Sequence, residues 1–174
     1  MKVPMGQFVD NVVHSSQLLG VTWYQDGYRP NKIQKVKNLK VFRNHVKGLR
    51  LHRTRNLAIY DSLFADNPIN LEIDRAEETH VYNSKFIGYS NLLQAAVASG
   101  DAVAPCRRGA GQAHGSLSGV TLQSTTPVPG RIDTSYNGFI AENVEFSGFD
   151  TGLCEGLVTP LRLESRRDNF RTLE

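Results

Sequence analysis

Apolar and charged residues alternate over short stretches of the chain and then give way to polar turns. Leu49 and Leu51 alternate with Arg50 and His52, and Leu71 and Ile73 alternate with Glu72 and Asp74. A period of two over so short a run predicts strands with aliphatic side chains on an inner face and charged ones on the outer face. The runs also recur at an offset of 22. Leu49 matches Leu71, Leu51 matches Ile73, Ile59 matches Val81, Tyr60 matches Tyr82, Ser62 matches Ser84 and Phe64 matches Phe86; Phe42 to Phe64 is the same step. A repeat of this length with β-type alternation inside it predicts a solenoid. The Leu-x-x-Leu-x-Leu frame of leucine-rich repeats is missing, and helical repeats are longer with a 3.6 spacing. The predicted fold is therefore all-β, a parallel β-helix with coils of about 22 residues. Adjacent coils lie about 4.8 Å apart, so equivalent residues stack. Leu49 on Leu71, Leu51 on Ile73, Ile59 on Val81 and Phe64 on Phe86 become interior stacks. Arg50 over Glu72 and His52 over Asp74 become exterior pairs.

Polar segments close the coils. Phe8-Val-Asp-Asn11 and Phe64-Ala-Asp-Asn67 match in form, with Phe42-Arg-Asn44 a shorter version. Asp and Asn tolerate turn conformations and bond nearby backbone, so Asn11, Asn44 and Asn67 are expected to form a ladder at a corner. Gly20-Val-Thr-Trp23 resembles Gly48-Leu-Arg-Leu51 at a longer offset of 28, the extra residues falling around the Gly/Pro turn of YQDGYRPNK. After Ser90 a longer insertion is expected to begin with a helical turn and loop out, ending where Gly119-Val-Thr-Leu122 repeats Gly20 to Trp23. A second loop leads to GFIAENVEFSGF, where Phe146 to Phe149 matches Phe86 to Tyr89. The expected organisation is one partial β-helix domain over 1–165 and a frayed tail over 166–174. Within the domain, coils occupy about 8–90 and 115–165, around an insertion over 91–118.

Composition narrows the class. The chain has 174 residues, 40% hydrophobic and 21% charged, which suits one folded soluble domain and excludes a disordered one. No apolar run reaches the roughly 18 residues that cross a bilayer, and the first residues lack the apolar region of a signal peptide. Charge is unevenly placed. Ten basic residues lie between Gly27 and Tyr60 with no acid among them: Arg29, Lys32, Lys35, Lys37, Lys40, Arg43, Lys47, Arg50, Arg53 and Arg55. Acids then dominate, with Asp61, Asp66, Glu72, Asp74, Glu77 and Glu78. Such a cluster attracts polyanions if it shares one exposed face, and it is neutralised if the acidic coil lies against it. No nucleic-acid motif accompanies the cluster, and phosphate-loop, dinucleotide, zinc and serine-hydrolase signatures are missing. No cofactor and no metal site are expected. Cys106 and Cys154 could pair or remain free thiols; the spacing does not decide.

The order of NVVHSS, a Gly-Tyr-x-Pro turn, NLKVFRN, NLAIYDSLFADN, IDRA, FIGYS, ENVEFSGFD and Cys154 resembles the β-helix region of the G8-domain extracellular proteins. That family includes fibrocystin-like proteins and cell-surface hyaluronidases. The resemblance spans Phe8 to Cys154. It implies a right-handed parallel β-helix taken from a longer secreted or membrane-anchored chain, located outside the cell or at its surface. It also implies contact with an anionic polysaccharide or an extracellular protein. No catalytic motif of the hyaluronidases matches residue by residue, so none is carried over.

Two functions follow as expectations. The first is a non-catalytic module binding carbohydrate or protein through its outer sheet and loops, with no nucleic acid and no membrane contact. The second is part of a hydrolase or lyase acting on an anionic glycan. Such an enzyme needs paired carboxylates, or a base and a cation beside a sugar carboxylate. The candidate catalytic cluster is His52, Asp74 and Arg75, with Arg50, Glu72 and His80 nearby in the repeat; the competing reading is a satisfied surface ladder. Candidate ligand contacts are Arg50, Arg53, Tyr60, Tyr82, and Asp26 and Arg29 beside Tyr28 in the first insertion. Tyr60 on Tyr82 also suits ordinary cross-strand stabilisation. His14 and His45 follow coil closures, and His114 lies in the long insertion.

Overall fold

The computed structural model describes residues 4–23, 28–107, 117–124, 139–150, 154 and 158–165, with only the backbone described at 107, 123–124 and 162–165. Within it the chain winds through five coils of three strands. The first coil holds β1 (Phe8–Val9), β2 (Val12–His14) and β3 (Leu19–Trp23). The second holds β4 (Gln34–Lys37), β5 (Lys40–Phe42) and β6 (Lys47–His52), and the third β7 (Arg55–Tyr60), β8 (Leu63–Ala65) and β9 (Ile69–Asp74). The fourth holds β10 (Glu77–Tyr82), β11 (Lys85–Ile87) and β12 (Leu117–Ser124), and the fifth β13 (Ile140–Glu142), β14 (Glu145–Ser147) and β15 (Val158–Ser165). Every third strand joins the same sheet. Sheet A runs β1-β4-β7-β10-β13, sheet B β2-β5-β8-β11-β14 and sheet C β3-β6-β9-β12-β15, all pairings parallel. This is a parallel β-helix.

The predicted interior stacks form. Leu49 pairs with Leu71 and Leu51 with Ile73. Ile59 pairs with Val81 and Phe64 with Phe86. All lie in one buried core. Phe64, Phe86 and Phe146 continue as a ring stack, with centroids 5.0 and 5.3 Å apart. Phe8 and Trp23 pack on this core from the first coil, and Phe139, Val144 and Phe149 from the last. The longer first offset and the two resumption points also hold. Val21 pairs with Leu49, Val120 with Leu71, and Phe86 with Phe146.

Two expected equivalences do not. Phe42 is not stacked on Phe64; the register pairs Val41 with Phe64 and Phe42 with Ala65. The turn between β5 and β6 has one residue more than the turn between β8 and β9, so the step there is one longer than 22 and shifts every upstream position. Phe8 to Asn11 is likewise not equivalent to Phe64 to Asn67. Phe8 pairs with Val36 on sheet A, whereas Phe64 belongs to sheet B. Asn11 therefore stays outside the ladder, and among the described residues its side chain bonds Val9 O alone, at 3.1 Å.

The corners explain why so many polar residues recur. At the A-to-B corner, Asp10, Asn38, Asp61, Asn83 and Asn143 all take positive φ, from 47 to 59°. Asp and Asn enter that region at lower cost than other side chains. Their side chains bond from coil to coil: Asn38 Nδ2 donates to Asp10 Oδ1 at 2.7 Å, and Asn143 Nδ2 to Asn83 Oδ1 at 2.9 Å. Just beyond this corner, Ser84 Oγ accepts from the Ser62 amide at 3.1 Å, and Ser62 Oγ accepts from the Leu39 amide at 3.1 Å. At the B-to-C corner, Asn44 and Asn67 are fully buried. Asn67 Oδ1 accepts from the Asn44 amide and from Asn44 Nδ2, both at 2.9 Å. Asn67 Nδ2 donates to Ala65 O at 2.9 Å and to Asn70 Oδ1 at 2.8 Å. Gly48 makes room for this, since a Cβ there would stand 2.9 Å from Asn67 Nδ2 and 2.6 Å from Asn70 O.

The insertion after Ser90 begins as a helix, α1 (Asn91–Ala98), with the Ser90 hydroxyl accepting from the Leu93 amide. Asp66 holds its start, accepting from the Ser90 amide at 2.8 Å and from Ser90 Oγ at 2.7 Å. The insertion builds a second small core of Tyr89, Leu93, Ala104, Cys106 and Leu117. Cys106 and Cys154 form a disulfide across 48 residues of chain. A closed loop of that length removes about 4 kcal/mol of unfolded-state entropy in the chain-entropy account. The segment 166–174, expected to fray, lies outside the described residues.

Substituting Asn67→Ala leaves several buried donors and acceptors without partners. It is expected to cost about 2–4 kcal/mol in urea denaturation, while Asn11→Ala is expected to stay within about 0.5 kcal/mol of the parent. Equal costs at the two positions would contradict the assigned register.

Candidate functional site

The expected cluster on β6 and β9 assembles, but it is not exposed to solvent. Parallel pairing places Arg50 beside Glu72 and His52 beside Asp74, as predicted. Arg50 Nε lies 2.8 Å from Glu72 Oε1, and Arg50 Nη2 lies 3.2 Å from Asp74 Oδ2. Lys47 also pairs with Glu72. Arg75 takes positive φ at the C-to-A corner, and its Nε reaches back to Asp74 Oδ1 at 3.0 Å. The Glu72 side chain is 0% exposed and that of Asp74 1%. The anticipated surface ladder is therefore a buried ion cluster on the outward side of sheet C, with Lys47, Arg50 and Arg75 folded against the two carboxylates. Thr121 of the next coil, beside Glu72 in register, is buried as well.

Histidine 52 sits between opposing partners. Its Nδ1 lies 2.6 Å from Asp74 Oδ2 and its Nε2 lies 3.2 Å from Arg75 Nη2. Burial lowers the His52 pKa below 6.5, and the Asp74 contacts that oppose this do not overcome it. The neutral ring donates from Nδ1 to Asp74 and turns its Nε2 lone pair toward the Arg75 guanidinium. Burial pushes Asp74 up, but the hydrogen bonds from His52 and Arg75 outweigh it and hold the carboxyl below 3.8. His80 does not join this cluster. It lies on sheet A, where it pairs with Ala58 and Ile140, and its Nδ1 is 2.9 Å from the Tyr82 hydroxyl.

Sheet A carries the tyrosine pair. Tyr60 and Tyr82 are stacked with ring centroids 4.9 Å apart and planes 18° apart. Each covers a face of the other, and Lys35 Nζ lies 5.9 Å from the Tyr60 centroid. The stacking is that of an ordinary cross-strand pair. In the first insertion, Tyr28 is buried in the main core and its hydroxyl accepts from the Met5 amide, so it is not a ligand-facing residue. Arg29 pairs with Glu77 at 2.7 Å. Asp26 and His114 lie outside the described residues. His14 stacks on Phe42 at 5.1 Å, and the His45 amide donates to Ser16 O in the turn before β6.

The structure sorts the ten-residue basic cluster into two groups. Lys47, Arg50 and Arg55 pair with acids of the next coil, as the basic-then-acidic order anticipates, and Arg29 reaches Glu77 two coils on. Among the described residues, Lys32, Lys35, Lys37, Lys40, Arg43 and Arg53 make no ion pair. All six are exposed. Five of them lie on the second coil. Lys35 and Lys37 project from β4 and Lys40 from β5, with Lys32 before β4 and Arg43 after β5. In register on β4 and β5 the neighbours are uncharged, Ala58 beside Lys35, Val9 and Tyr60 beside Lys37, and Val12 and Leu63 beside Lys40, whereas Arg43 falls beside Asp66 of the next coil. Sequence reasoning counted these lysines but could not separate them from the paired ones.

A cleft of about 630 Å³ lies at the start of α1, lined by Ile87, Ser90, Leu92, Gln94 and Ser147 among others, on neither of these surfaces. No group of three or more His, Cys, Asp or Glu residues that could hold a metal, and no helix long and apolar enough to cross a membrane, occurs among the described residues. The class is thus a parallel β-helix with a buried ion cluster on sheet C and a free basic band around its second coil. No family model, curated protein or solved structure matches the chain.

Both lowered pKa values make stability depend on pH in the same direction. The unfolded chain holds the proton more tightly at His52 and at Asp74, so stability is greatest above pH 6.5. A first loss is expected as pH falls below 6.5 through the folded pKa of His52, and a second below 3.8 through that of Asp74. Thermal midpoints measured across this range should decline in that order. His52→Gln should remove the first decline and keep the second; an unchanged first decline in that variant would contradict the assignment.

Proposed function

We propose that the protein is a non-catalytic binding module of the extracellular matrix or cell surface that holds an anionic polysaccharide on the basic band of its second coil. The observation that carries this reading is the row of exposed cations, Lys32, Lys35, Lys37, Lys40 and Arg43, with no ion pair among the described residues. Cations left without an ion pair attract a polyanion more strongly than cations already neutralised by the next coil. The disulfide fits an oxidising compartment. The motif order shared with G8-domain extracellular proteins supports the same location and the same ligand chemistry.

The alternative, a glycan-degrading enzyme, would draw on His52, Asp74 and Arg75. A base must reach a substrate proton, yet Nε2 of His52 faces a guanidinium at 3.2 Å. Paired carboxylates must flank an accessible bond, yet Glu72 and Asp74 are both buried. The geometry of this cluster favours fastening two coils together over chemistry on a polymer.

The test uses the whole chain with hyaluronan and with polygalacturonate, each with and without a divalent cation, following both retention and polymer length. Retention without shortening is expected, and the double variant Lys35→Glu, Lys37→Glu should weaken it about tenfold or more. Arg50→Met should instead lower stability by about 3–5 kcal/mol, as loss of one buried partner does, and leave the affinity of the folded protein unchanged. Shortening of either polymer, or failure of both to bind at physiological salt, would overturn the reading.

A further inference from the structure

Resting on the basic band as the binding surface, we infer that its ligand carries one negative charge on every sugar ring, as a polyuronate does, and lies along the second coil. It does not run along the helix axis. The argument starts from spacing. Lys35 and Lys37 are two residues apart on one strand and both are exposed, with the fully buried Val36 between them. Two strand residues span roughly 6.6–6.8 Å. That distance is close to the length of a single sugar ring and well short of a disaccharide. Lys40 follows three residues on, around the corner at Asn38, so the same density continues onto sheet B. A polymer charged once per disaccharide would meet more cations along this track than it carries charges.

The direction follows from what surrounds each lysine. Along the axis from Lys37 lie Val9 on one side and Tyr60, Tyr82 and Glu142 on the other. Along the axis from Lys35 lie Ala58, His80 and Ile140. From Lys40 the next cation is Lys85, two coils away beyond Leu63 and paired with Glu145 at 2.8 Å. Among the described residues, no axial row offers successive unpaired cations. The coil offers five in order from Lys32 to Arg43. Carboxylates also border this track. Asp10 and Asp61 stand one coil to either side of Asn38 at the A-to-B corner, Asp10 accepting from Asn38 and Asp61 from Asn83. Like charge on both flanks penalises a polyanion that drifts toward the neighbouring coils.

The experiment compares polygalacturonate and hyaluronan oligomers matched in ring number, by calorimetry on the full chain over a series of salt concentrations. Polygalacturonate should bind about tenfold tighter or more, with the steeper salt dependence that release of more counterions brings. Lys37→Glu and Lys40→Glu should each weaken polygalacturonate about tenfold, while Lys85→Glu leaves it unchanged. Thermal melts of Lys37→Glu and Lys40→Glu should match the parent, since both positions are exposed, while Lys85→Glu, set opposite Glu145, should melt slightly lower and still be folded at the binding temperature. Hyaluronan binding as tightly as polygalacturonate would overturn the charge-density inference and leave the proposed function standing. A loss in Lys85→Glu equal to that in Lys37→Glu would overturn the direction. Binding of neither polymer would remove the proposed function, and this inference with it.

Discussion

Each coil must turn three times without losing its hydrogen bonds to the coils on either side, and the rest of the structure depends on that constraint. A parallel sheet tolerates no gap in its ladder, and a buried corner tolerates no unsatisfied amide. Left-handed residues answer both requirements at the A-to-B corner. Asp10, Asn38, Asp61, Asn83 and Asn143 reverse the chain there while the backbone amides of the first four still donate to the next coil. Asn44 and Asn67 do the equivalent work at the B-to-C corner with their side chains, inside the protein. Once the corners are fixed the register is fixed, and with it which aliphatics meet and which charges face each other.

Register then separates two populations of cation that are indistinguishable in composition. On sheet C, Arg50 comes directly beside Glu72, Lys47 opposite Ile69 reaches the same carboxylate, and Arg50 and Arg75 converge on Asp74. Burying such charges is tolerable only because each finds a close partner, and removing one partner strands the other. On the second coil at sheets A and B, Lys35, Lys37 and Lys40 come beside Ala58, Tyr60 and Leu63, and their charge is left for something outside the coil. The chain therefore uses its basic segment twice, once as a fastener between coils and once as a surface.

Much of the fold was legible in the sequence because identical or similar residues stand at equivalent positions. Leu49 and Leu71, or Phe64 and Phe86, announce the offset directly. The errors came from the same source. Phe42 resembles Phe64, but one extra residue in the turn before β6 moves Val41 into that stack. Phe8-Val-Asp-Asn11 resembles Phe64-Ala-Asp-Asn67, but the two segments sit on different sheets. Alternation correctly sent Glu72 and Asp74 outward and gave no sign that the outer face would be covered there. The pairing of Cys106 with Cys154 was open too, because it depends on how an insertion folds back on the fifth coil. The free lysine band was hidden for a plain reason: whether a lysine is neutralised depends on its neighbour one coil away, and that neighbour is known only when the register is.

The central claim is that the second coil meets the ligand at sheets A and B, and not at the His52–Asp74 cluster on sheet C. Backbone amide shifts in an isotope-labelled sample titrated with polygalacturonate test it most directly. The account predicts perturbations confined to residues 32–43 and their immediate neighbours on sheets A and B, with the amides of Arg50 to Arg53 and Glu72 to Arg75 unmoved. Perturbations centred on those sheet C residues would contradict it.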